Sequence, residues 1–309
     1  MPTLKTQFVH FLLQHRHWFR GRLRPETITE RTDMVALRAR TEKMAARLGQ
    51  LDTSFKLVSE EHRGVHAERL MVDAHGQTLL LYFHGGGYTT GSASSHRGIV
   101  SKFVKASGVN ALCFDYRLAP EHPFPAALDD SIAVYQNLLT TGWLPENIVF
   151  CGDSAGGGLA LATLLKLKSL AMPLPKAAVL LSPWVDLTLQ QASYLTDDPL
   201  APPGSWQVYG NWYATTHDKK NPQISPLYGD MQGLPPMFIS VGTRENIYDE
   251  AVALMVKAEQ AGVEVHRQIG QGMMHCYPAM APILPEAVEA LADIAGFIRQ
   301  QLIENPPAH

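Results

Sequence analysis

From residue 54 onward the chain alternates short β-like segments with helix-like ones, and this rhythm limits the fold more than any other feature. Strands are expected at Phe55–Ser59, Val65–Met71, Thr78–Phe83, Ala111–Tyr116, Ile148–Cys151, Ala177–Leu181, Met237–Val241 and Val263–Ile269. Several of these are almost continuously apolar, which suits strands covered on both faces. Helices are expected between them at His96–Ala106, Pro125–Leu139, Gly158–Ser169, Tyr248–Ala261 and Pro285–Gln301. Such alternation predicts an α/β fold: a mostly parallel sheet with helices on both faces. No helix separates the first two strands, so they are expected to pair antiparallel.

Two segments break the rhythm. Residues 1–50 read as helical throughout, with Glu26–Leu48 carrying charges of both signs among alanines. The stretch 184–236 lies between two strands and is too long for a simple crossover; it is rich in aromatics, Trp184, Trp206 and Tyr209 among them. Long insertions of this kind are usually lids or binding loops. The domain reading is an N-terminal helical cap segment, 1–50, and a catalytic domain, 51–309, holding a second cap insertion at about 184–236.

Composition excludes several classes. A net charge of −3 and the lack of a long basic run argue against nucleic acid as a partner. Phe8–Leu13 is apolar and His15–Arg24 is basic, but the run is too short to span a membrane and the charge order is reversed for a signal peptide. An amphipathic surface helix without stable membrane insertion is expected there, with a membrane-surface anchor as the alternative. Cys113, Cys151 and Cys276 have no metal-type spacing and read as reduced thiols of a cytoplasmic protein. Val263–Ile269 is expected at the sheet edge, where two copies can pair into a homodimer.

The chemistry is concentrated in a few words. Gly152-Asp153-Ser154-Ala155-Gly156 sits between a strand and a helix, the context of a nucleophile elbow. The turn is too tight for side chains beside the serine, so Ser154 Oγ is driven to its tip. This points to acyl transfer through an ester on Ser154. Such a reaction also needs a base, a group that orients the base, and donors for the developing oxyanion. His84-Gly85-Gly86-Gly87 follows a strand and can turn backbone N–H groups into a cavity; Ala155 N–H is the expected further donor. His275 follows the last strand, at the carboxyl edge where α/β ligands bind. Glu245 is the first candidate for the acid, four residues after its strand, with Asp249 second. No metal or organic cofactor is called for.

Together these words resemble the hormone-sensitive-lipase-like family of α/β hydrolases. The match rests on His84-Gly85-Gly86-Gly87, on Tyr116-Arg117-Leu118-Ala119-Pro120-Glu121 with Phe124-Pro125-Ala126-Ala127, on Gly152-Asp153-Ser154-Ala155-Gly156-Gly157 and on Ser182-Pro183-Trp184. The resemblance implies an eight-stranded α/β-hydrolase fold with a helical cap and a carboxylesterase acting on short acyl chains. It implies Ser154 as nucleophile, His275 as base, and Gly86, Gly87 and Ala155 as oxyanion donors, with His84 bracing the loop. Tyr88, Trp184 and Trp206 are expected to wall a narrow pocket for a small-molecule ester. The chain departs from the family at Glu245, where relatives often hold Asp, and at Asn246, where an apolar residue or proline is common. An amidase, a deacetylase of a sugar, steroid or drug-like substrate, and a non-catalytic receptor on the same fold remain open from sequence.

Overall fold

The computed structural model describes residues 2–15, 18, 27–48, 55–73, 75–196, 198–201 and 204–304. Eight strands form one sheet: β1 (Lys56–His62), β2 (Val65–Met71), β3 (Leu79–Phe83), β4 (Asn110–Phe114), β5 (Ile148–Asp153), β6 (Ala177–Leu181), β7 (Met237–Gly242) and β8 (Val265–Gly270). Their spatial order is β1-β2-β4-β3-β5-β6-β7-β8. β2 pairs antiparallel with both β1 and β4, and every other pairing is parallel. The β1–β2 hairpin turns on Arg63 and Gly64, both at positive φ (53° and 84°). That is the backbone a two-residue hairpin matching the sheet's twist demands.

Period-two burial sorts the strand residues between two cores. Leu79, Leu81 and Phe83 face one core, shared with Leu128 and Tyr135 of α4 (Ala126–Thr140) and Leu159 of α5 (Ala155–Ser169). Leu80 and Tyr82 face the other, shared with Phe103 of α3 (Ala93–Ser107) and Ile294 of α8 (Pro285–Arg299). α7 (Tyr248–Gln260) joins the first layer through Leu254. Both faces of the sheet are therefore covered, as the apolar runs require.

The N-terminal region holds α1 (Leu4–Gln14) and α2 (Met34–Leu48). The expected helix from Glu26 starts later than the charge pattern suggests. Asp33 Oδ1 accepts the Ala36 amide at 3.0 Å, capping the helix and fixing its start; residues 27–33 are loop and turn, and Glu26 lies outside the described residues. α2 docks through Arg38, which donates to the carbonyls of Thr89 and Ala119 (both 2.8 Å) and to Glu121. α1 docks through Thr3 and Thr6 on Glu286 at the start of α8. The later insertion carries α6 (Ser205–Ala214). No helix among the described residues is long and apolar enough to cross a membrane.

Candidate active site

Four parallel strands end at one rim, and each delivers a piece of the site. β5 ends at Asp153 and the chain turns at Ser154 directly into α5. Ser154 has φ 54° and ψ −123°, a conformation L-residues avoid. It is held there from both sides: its N–H donates to Leu181 O (2.8 Å), and its C=O accepts from Gly158 (3.1 Å) and Trp184 (3.0 Å). The glycine after it is obligatory for a local reason. A Cβ on Gly156 would stand 2.1 Å from Phe83 O, because α5 starts hard against the end of β3.

The loop after β3 is fixed by the residue preceding the serine. Asp153 Oδ1 accepts the Gly85 amide (3.0 Å) and the Tyr82 hydroxyl (2.9 Å). Burial works against the Asp153 carboxylate, yet His96, Tyr82 and His84 hold its pKa below the usual value. His84 stacks on Tyr116 with ring centroids 4.1 Å apart, and its Nδ1 pairs with Gly85 O at 2.8 Å. Burial and the neighbouring His96 push the His84 pKa down to about 4, so its ring is neutral. The Gly86 carbonyl accepts the amides of Thr89 and Thr90 (3.1 and 3.0 Å), closing the loop into a tight turn. Among the described residues the N–H groups of Gly86, Gly87 and Ala155 donate to no protein oxygen. Ala155 is the first residue of α5, where an amide has no intrahelical acceptor.

β7 and β8 supply the other half. Glu245 is fully buried, and its Oε2 lies 2.8 Å from His275 Nδ1. Its Oε1 accepts from Ser182 Oγ (2.7 Å) and the Gly242 amide. The loops holding the two residues are zipped together: Arg244 N donates to Met273 O (3.0 Å) and Gly272 N to Thr243 Oγ1 (2.8 Å). Asp249, the second candidate, accepts the Ser193 amide at 2.8 Å and secures the insertion instead.

Electrostatics follow from this burial. Glu245 is pushed above the ordinary carboxylate value by burial, against the pull of its three donors. Burial disfavours the His275 imidazolium, but the Glu245 carboxylate on Nδ1 pulls the other way, and the ring stands above the ordinary histidine value. Burial likewise raises the Cys276 thiol.

The Ser154 turn and the His275 loop are both tied to the end of β6. Ser154 N binds Leu181 O, while Cys276 N binds the next residue, Ser182, at its Oγ (2.9 Å). Among the described residues no hydrogen bond joins Ser154 Oγ to His275. Such contacts are commonly loose until substrate binds.

The three expected wall aromatics fall at different depths. Trp206, only partly buried, stands edge-on to His275, with ring centroids 5.7 Å apart at 90°. Trp184 and Tyr88 are 0% and 1% exposed and lie in the layer beneath, Trp184 against Trp206 and Tyr88 stacked on Tyr213. Tyr209 of α6 takes a position the spacing did not single out: a Cβ on Gly87 would meet its ring at 2.3 Å. Ser182 also went unassigned from sequence, although the Ser182-Pro183-Trp184 word had marked its neighbourhood.

A family model described as alpha/beta hydrolase fold matches residues 80–279. An acetyl-hydrolase of Streptomyces hygroscopicus is 40% identical over 227 residues, covering 72% of this chain and 76% of its own. An esterase of Acinetobacter venetianus is 37% identical over 238 residues, covering 76% and 78%. The solved structure of an esterase from the bacterial hormone-sensitive lipase family is 36% identical, with a TM-score of 0.87 over 98% of this chain and 99% of that one. The chain therefore belongs to the hormone-sensitive-lipase-like family of α/β hydrolases and is a carboxylic-ester hydrolase.

Proposed function

We propose that the chain hydrolyses short-chain acyl esters through an acyl-enzyme on Ser154. His275 takes the Ser154 proton as Oγ attacks the ester carbonyl. The oxyanion accepts from the amides of Gly86, Gly87 and Ala155, each such donor contributing about 3–4 kcal/mol to the transition state. His275 then protonates the leaving alkoxide, and activates the water that releases the acid. Glu245 keeps the imidazole proton on Nδ1 and stabilises the imidazolium that forms.

The observation that carries the reading is the 2.8 Å bond from His275 Nδ1 to a carboxylate buried beside the elbow. A receptor has no need of an ionisable pair so placed. Residues 1–50 and 184–236 are taken as the cap, because Arg38 holds α2 over the Gly86 turn and Tyr209 lies on Gly87. Tyr209 lies on Gly87 of the oxyanion turn, which favours acetyl to hexanoyl esters over long-chain lipids. The free thiols of Cys113, Cys151 and Cys276 favour a cytoplasmic setting. Ser154→Ala should abolish both p-nitrophenyl butyrate turnover and labelling by a fluorophosphonate probe. Full activity in that variant would refute the scheme, and a chain-length series peaking at palmitate would refute the acyl limit.

A further inference from the structure

The residue after the acid has no part in proton transfer, yet its side chain makes four hydrogen bonds. Asn246 is 5% exposed. Its Nδ2 donates to the carbonyls of Thr196 (2.6 Å) and Tyr194 (3.2 Å), with Ser193 O farther off at 3.4 Å. Its Oδ1 accepts the indole N–H of Trp206 at 3.1 Å. Its backbone carbonyl accepts Ser193 Oγ at 2.6 Å. One carboxamide thus grips the insertion at residues 194–196 and again at the start of α6. Only a group that donates and accepts at once satisfies both ends: a carboxylate cannot donate to the carbonyls, and an apolar side chain can do neither.

The indole it holds is the ring edge-on to His275, with Trp184 and Tyr194 rings at 5.0 and 6.0 Å behind it. A leaving oxygen must lie within hydrogen-bond reach of the imidazole that protonates it. A ring flanking that imidazole therefore borders the alcohol portion of an ester rather than the acyl portion. We infer that Asn246 is a specificity-determining positioning residue: by holding Trp206 against His275 it sets the size of leaving alcohol the enzyme accepts. This rests on the ester-hydrolase reading above.

The test uses two substrate series on the full-length enzyme. One varies the alcohol of acetate esters from methyl through butyl to benzyl; the other varies the acyl chain of p-nitrophenyl esters. Asn246→Leu removes the acceptor and the donors. Trp206→Phe removes only the N–H and a little ring, and carries the test if the first variant does not fold. Each should raise the benzyl-to-methyl ratio of kcat/KM by roughly three- to tenfold, the size of one net hydrogen bond. The double variant should go no further than either single one, because both break the same contact. The relative order of the acyl series should stay as in the unaltered enzyme. Additive effects, an unchanged alcohol ratio, or equal changes in both series would each overturn the inference. An unaltered protein that turns over neither series and takes no fluorophosphonate label would instead overturn the parent reading, and this one with it.

Discussion

Replacing Glu245 by glutamine is the sharpest perturbation of the proposed chemistry, because the structure dictates how the new amide must sit. The carboxylate has three donors around it: the Gly242 amide and Ser182 Oγ on Oε1, and His275 Nδ1 on Oε2. Glutamine offers one acceptor and one donor. The Gly242 N–H can only donate, so the amide oxygen has to face it and the NH2 has to face His275. That NH2 requires a lone pair on Nδ1, which moves the ring proton to Nε2. An Nε2 carrying a proton cannot take another from Ser154. Comparable tautomer reversal in serine hydrolases lowers kcat by roughly 10⁴-fold, about 5.4 kcal/mol at 1.36 kcal/mol per decade. Folding stability should hardly change, since a neutral amide relieves the burial that strains the carboxylate and keeps two of its contacts. Steady-state kcat with p-nitrophenyl butyrate and a thermal melt on the same sample check both halves. A kcat within tenfold of the unaltered enzyme would refute the role given to Glu245. Asp249→Asn is the control: Asp249 binds the Ser193 amide and not His275, so kcat should change by less than about threefold.

The pH profile should be displaced upward. His275 works as a base only when neutral, and its pKa stands above the ordinary value of 6.5, so kcat/KM should fall as pH drops through a midpoint above 6.5; activity that stays flat to pH 5 would contradict this. Ser182→Ala strips one donor from Glu245 and the acceptor of the Cys276 amide, and should lower kcat by roughly tenfold and stability by about 1–3 kcal/mol, measured by kinetics and urea unfolding. Gly156→Ala puts a Cβ 2.1 Å from the Phe83 carbonyl, a backbone atom that cannot swing away, and should cost about 3 kcal/mol or more. A urea midpoint equal to that of the unaltered protein would show that α5 can retreat from β3.

All eight expected segments correspond to strands of the sheet; β3 to β7, buried on both faces, carry the strong apolar signal, whereas β1 and β8 at the edges are partly exposed. Helix starts were less so. The expected helix at Gly158 begins at Ala155, since Gly156 and Gly157 argue against helix by propensity and are demanded by the close approach of β3 and Pro183. α3 begins at Ala93 rather than His96, through a Ser92–Ser95 capping box that serine makes less conspicuous than glutamate would. The bond between Glu245 and His275 could be proposed from chain order. Ser182 could not be assigned, because its contacts to Glu245 and Cys276 join residues 63 and 94 positions away. The depths of Tyr88 and Trp184 were equally hidden, since an aromatic beside an active-site word looks the same whether it lines the cavity or supports it.

The departures at Glu245 and Asn246 become intelligible once the stretch to Glu250 is taken as a unit. Glu245 binds His275, Asn246 binds residues 194–196 and Trp206, and Asp249 binds the Ser193 amide. Glu250, fully buried, accepts the amides of Val185 and Asp186 and the hydroxyl of Tyr194. Its carboxyl is driven well above the ordinary value by burial, a cost tolerated where two backbone donors and a phenol converge on it. Every polar side chain in this stretch that faces inward is thus spent on one of two tasks, orienting the imidazole or holding the insertion. The two tasks sit on adjacent residues of one backbone, Glu245 on His275 and Asn246 on the insertion. The Glu245 carboxylate spans Ser182 and His275 with its two oxygens while the next residue, Asn246, holds the insertion.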